Sequence, residues 1–147
     1  MKIDRLETSH YRIPLSTPME AASHGGIPIA AGENLHTLAE FTALISARGV
    51  DFPEPYLTTC GGITLCMKIA ALAQAHGLPG TSHGAHDVHV HLLAAVPNAA
   101  YLEVHAFGLE RFTAAPLQMS DGMAIAPDRP GHGIDLDWDA LKAHRVG

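Results

Sequence analysis

Apolar and polar positions change period several times along the chain, and each change marks an element. Residues 2–14 alternate, with Ile3, Leu6, Tyr11 and Ile13 at apolar positions and Pro14 ending the run, which predicts one strand or a pair. Short apolar stretches recur at residues 28–33, 78–83 and 100–103, dense enough for parallel strands buried on both faces. Between them the period lengthens. Thr37-Leu38-Ala39-Glu40 is a capping box; Leu38, Phe41, Leu44 and Ile45 fall on one helical face, and Gly49 supplies the stop. A second helix is predicted over 63–76, with Leu65, Ile69, Leu72 and Ala73 as its stripe and Gly77 and Pro79 as terminator. A third is predicted over 87–96, stopped by Pro97.

Strand and helix therefore alternate over 27–105, and the strand ends carry Glu33, His83 and Glu103. Carboxylates and an imidazole at successive strand-to-helix junctions predict a βα barrel with its chemistry at the strand C-terminal ends. A closed (β/α)8 barrel takes about 250 residues. This chain has 147, so the fold class expected is α/β with a partial (β/α)8 barrel. The C-terminal part changes character. Asp121-Gly122 reads as a hairpin turn between 117–119 and 123–126, followed by a turn-rich loop over 127–133, a final strand and a short helix.

Composition narrows the partners. With 47% hydrophobic and 16% charged residues, the chain has the makeup of one ordinary soluble domain. A formal charge of -6 and no Lys/Arg cluster argue against nucleic acid or an anionic membrane as partner. The N-terminus alternates charged and apolar residues where a signal peptide needs an apolar core, and no stretch is long enough to span a bilayer; a cytoplasmic location is expected. Cys60 and Cys66 match neither a redox pair nor a zinc knuckle, which predicts reduced, buried thiols.

Several motifs, in one order, resemble the mandelate racemase branch of the enolase superfamily: Pro28-Ile29-Ala30-Ala31-Gly32-Glu33-Asn34, Cys60-Gly61-Gly62-Ile63-Thr64, Ser82-His83, Tyr101-Leu102-Glu103 and the 127–133 loop. The resemblance implies an acid-sugar dehydratase or racemase that removes the proton beside a substrate carboxylate, assisted by Mg2+ held on three carboxylates. On that reading Glu33 is the third metal ligand, His83 the catalytic acid or base, and Glu103 the acid facing the substrate carboxylate. His24 and Asn34 would bind the substrate, a small-molecule carboxylate of the sugar-acid class. The Asp that orients the histidine in the family is replaced here by Tyr56, a neutral phenol, with Asp51 and Glu54 as nearby substitute carboxylates.

The same resemblance implies three parts: 1–25 as a remnant of the N-terminal capping domain, 26–106 as barrel βα units 6–8, and 107–147 as a segment returning toward the capping domain. Earlier strands, with two metal ligands and the opposite Lys base, would fall between His24-Gly25 and Gly26; a large internal deletion is expected there, and activity of the chain alone is not. Exposed strand edges predict a homo-oligomer. A separate reading of the residues remains open: a non-catalytic metal-binding or scaffold protein using His83, His86, His89 and His91.

Overall fold

The computed structural model describes residues 28–105 and 109–144. The strand expected over 2–14, the capping remnant 1–25 and His24 lie outside the described residues.

Four short parallel strands follow one another in chain order. β1 (Ala30–Ala31) pairs with β2 (Phe52–Pro53), and β3 (Gly80–Ser82) pairs with β4 (Ala99–Leu102). A parallel bridge between Tyr56 and His83 joins the two pairs. Helices link successive strands: α1 (Leu38–Ser46), then α2 (Leu57–Cys60) with α3 (Ile63–Ala75), then α4 (His86–Ala95). Among the described residues the strands form an arc and no closed barrel.

Pro53 and Pro55 sit in the interior of this arc because of how a strand alternates its bonds. The amides of Phe52 and Glu54 donate toward β1, to Ile29 and Ala31 carbonyls, at 3.0 Å each. The prolines face the other way, toward β3, where only their carbonyls are used. Pro53 accepts from the Thr81 hydroxyl at 2.7 Å and Pro55 from the His83 amide at 3.3 Å. Both missing donors therefore fall on a side bonded through carbonyls.

Helix α1 starts where the capping box predicts. The Glu40 amide donates to Thr37 Oγ1 at 3.2 Å, while Glu40 Oε2 accepts from the Thr37 and His36 amides at 2.8 Å. Those donors, the His36 amide first, hold the Glu40 carboxyl below the usual carboxylate range. Phe41 then packs in one cluster with Cys60, Cys66, Ile69 and Leu92, and Ile45, Ala73 and Val90 are buried as well. Gly32 is required at its position. Its φ of +132° suits glycine, and a Cβ there would lie 2.8 Å from Phe41 Cε1. Both cysteines are free and buried as expected, their sulfurs 3.3 Å apart; burial first, and then the Cys60 sulfur, pushes the Cys66 thiol up.

Helix α2 was not predicted, because four residues carry no readable period. Its first amide, Leu57, donates to His89 Nε2 at 3.1 Å. A buried histidine from α4 thus caps a helix that has no side-chain cap of its own.

The C-terminal segment holds the expected hairpin, β5 (Gln118–Ser120) antiparallel to β6 (Met123–Ile125). Asp121 and Gly122 take φ of 51° and 76°, the paired positive values of a type I′ turn. The final strand reduces to one antiparallel bridge, Thr113 with Leu136, before α5 (Trp138–Lys142). Among the described residues no helix is long and apolar enough to cross a membrane.

Candidate functional site

Strand register builds the site. Ser82 and Leu102 are partners at the ends of β3 and β4, so the next residue of each strand, His83 and Glu103, emerges beside the other. His83 Nδ1 lies 2.9 Å from Glu103 Oε2. The Gly84 amide donates to the same oxygen at 3.0 Å, and His105 Nε2 stands 3.3 Å from it. Gly84 permits this approach: at φ +57°, a Cβ would lie 2.7 Å from the Tyr56 ring. His83 is packed edge-on between two rings, with centroids 5.5 Å from Tyr56 and 5.1 Å from His105. Side-chain exposures of 29%, 37% and 18% for His83, Glu103 and His105 leave the cluster half-buried but reachable from solvent.

Glu103 stands at the strand tip where the sequence places it. The resemblance has it facing a substrate carboxylate; in the structure its Oε2 is bound to His83, Gly84 and His105. Tyr56 sits against His83 as a ring, and the carboxylate beside that imidazole comes from β4. Glu54 belongs to the same neighbourhood. Burial first, then the charge of Glu103, pushes its carboxyl up; His83 opposes this, and Glu33 adds the smallest push upward. Asp51 lies at the other end of β2, where it accepts from the Ile29 amide at 2.8 Å, and so offers the site no carboxylate.

Glu33 folds back on its own segment. Its Oε2 accepts from the Gly32 amide and its Oε1 from the Asn34 side chain, both at 3.0 Å. Asn34 is thereby committed to Glu33. Magnesium needs several hard oxygens in near-octahedral array. Among the described residues, Glu33 joins no group of three converging ligands, and the group that does converge is His83, Glu103 and His105, two parts nitrogen to one part oxygen. The donor set does not fit Mg2+.

The other histidines do not gather. His86 Nε2 lies 3.6 Å from Asp87, His89 is spent on the Leu57 amide, and His91 Nε2 is buried near Gly133 without a hydrogen-bond partner. The expected cluster of His83, His86, His89 and His91 is replaced by one that the sequence reading missed at His105. Its signal was present: two residues beyond Glu103 on an extended segment, a side chain returns to the same side.

Residues 14–140 match the enolase C-terminal domain-like family. The 3,6-anhydro-alpha-L-galactonate cycloisomerase of Streptomyces coelicolor is 48% identical over 122 residues, 83% of this chain and 34% of the relative. The L-talarate/galactarate dehydratase of Salmonella typhimurium is 38% identical over 115 residues, 78% of this chain and 29% of the relative. A racemase structure from Streptomyces coelicolor with bound magnesium superposes with a TM-score of 0.75 at 46% identity, covering 81% of this chain and 32% of that one. L-talarate dehydratase from Polaromonas, complexed with Mg and L-glucarate, gives 0.72 at 40% identity, covering 79% and 32%. The chain thus spans about a third of the length of the relatives it matches. On the strength of its motifs, its strand order and these matches, the chain belongs to the enolase superfamily, within the mandelate racemase-like group that includes acid-sugar dehydratases.

Proposed function

We propose that this chain carries the acid–base end of a site that abstracts the α-proton of a sugar-acid carboxylate, and that alone it does not turn such a substrate over. The contact between His83 Nδ1 and Glu103 Oε2, at 2.9 Å across adjacent strand ends, carries the reading. A carboxylate is an acceptor only, so it holds the proton on Nδ1 and leaves Nε2 to receive the substrate proton. Its negative charge then faces the imidazolium that forms, a task the resemblance assigns to an Asp where Tyr56 now stands. In this arrangement Glu103 is a positioning residue for His83.

The arc supports the same reading, as units 6–8 of a (β/α)8 barrel with their chemistry at the strand tips. Glu33 is the one member of the implied magnesium set among the described residues, and its oxygens are engaged locally. Self-association, through strand edges that lack partners in the arc, belongs to this proposal too.

The test incubates the full chain in heavy water with magnesium and a panel of aldonates and hexarates. The expected result is shift perturbation at His83 and Gly84 by at least one sugar acid, abolished in His83→Asn, with no deuterium entering the α-position. Measurable exchange would overturn the inactivity. Absence of any perturbation across the panel would overturn the substrate class.

A further inference from the structure

We propose that His83, Glu103 and His105 form a binding site for a borderline divalent transition metal, with zinc, nickel or cobalt(II) as the fitting ions and magnesium as a poor one. One ligand atom from each residue lies within 4.8 Å of the other two. Two of the three edges are already short, 2.9 Å from Glu103 Oε2 to His83 Nδ1 and 3.3 Å from Glu103 Oε2 to His105 Nε2. Tetrahedral zinc with bonds of about 2.0–2.1 Å needs ligand-to-ligand edges of roughly 3.3 Å, so side-chain adjustment suffices.

The donor chemistry makes the choice of ion. Imidazole nitrogen suits zinc, copper, nickel and iron, whereas magnesium prefers oxygen and gives up its water reluctantly. Two imidazoles and one carboxylate leave at least one coordination position for water or an anion, and the partial exposure of all three side chains leaves that position open to solvent. The ligands are also held in place. The Gly84 amide fixes the Glu103 carboxylate, and His83 is locked between the Tyr56 ring and its own backbone bond to Pro55. Glu33 and Glu54 add negative charge to the neighbourhood, which favours a dication. On binding, the metal takes the lone pair of His83 Nδ1, and the proton that nitrogen shares with Glu103 moves to the other ring nitrogen or to solvent.

The site goes beyond the sugar-acid reading and does not rest on it. Metal binding is read without substrate, so a failed exchange assay leaves it standing, and a failed titration leaves that reading standing.

The test titrates the full chain with zinc alone, by calorimetry and by competition with a chromophoric chelator. One equivalent should bind, with affinity falling about tenfold or more in His105→Asn and in Glu103→Gln. His76→Asn, on the exposed end of α3, should leave affinity unchanged, and a hundredfold excess of magnesium should not displace zinc. Affinity that survives His105→Asn, or zinc displaced by magnesium on equal terms, overturns the proposal. A mapping on the unmodified chain removes any dependence on variants that fail to fold. Paramagnetic nickel should broaden the Gly84, Tyr56 and Val104 signals first, and broadening centred elsewhere overturns the site.

Discussion

The strand arc and the C-terminal segment are built from similarly apolar sequence but bury it very differently. Among the described residues, the buried hydrophobic ones, from Phe41 to Leu92, lie in the arc and its helices. Among the described residues beyond 109 no hydrophobic side chain is fully buried, and Met123 and Trp138 are 70% and 69% exposed. The hairpin there is specified by turn chemistry at Asp121 and Gly122, which fixes register without a core. The arc is specified by packing between helices and strands, and that packing holds His83 and Glu103 together. Local rules shape a segment; burial is what gives a site fixed geometry.

The largest effect that sharpens this contrast is expected at Phe41, fully buried against Gly32. Phe41→Ala should lower stability by about 3–5 kcal/mol in denaturant unfolding. A loss below about 1 kcal/mol would mean that the arc has no dominant core.

Next comes acid. Burial, aided by His83, lowers the His89 pKa to about 4, against an unfolded value of about 6.5. The folded chain therefore resists the proton, and accepting it would break the bond from the Leu57 amide. This contribution is complete above about pH 6.5 and is lost as pH falls toward 4, roughly 3 kcal/mol in all. In His89→Gln the fall in stability over that window should flatten, whereas an unchanged slope would remove His89 as its source.

The smallest effect is expected in the hairpin. Met123→Ala should change stability by less than about 0.5 kcal/mol, and a larger loss would show that this face is covered in the folded protein.

What was legible in the sequence follows the same division. The capping box at Thr37, the helix over 63–76 and the Asp121-Gly122 turn are local signals, and each is found in place. The order Glu33, His83, Glu103 along the strand tips was legible too. The partners of Glu103 were not, since the register of Ser82 with Leu102 decides which side chains touch. The role of His89 was hidden for a related reason: its partner, the Leu57 amide, is 32 residues away and on a helix too short to have a period. Pro53 and Pro55 lack the amide a central strand uses, and only the alternation of the folded strand shows both turned toward carbonyl-only contacts.

On the proposed reading, the Glu103 carboxylate from the next strand sets the state of His83. Nitrogen-15 correlation spectra of the His83 ring in the metal-free chain test it directly. A neutral ring protonated at Nδ1 with a bare Nε2, shifting toward the opposite tautomer in Glu103→Gln, is the expected result. A ring protonated at Nε2, or one indifferent to Glu103→Gln, would contradict it.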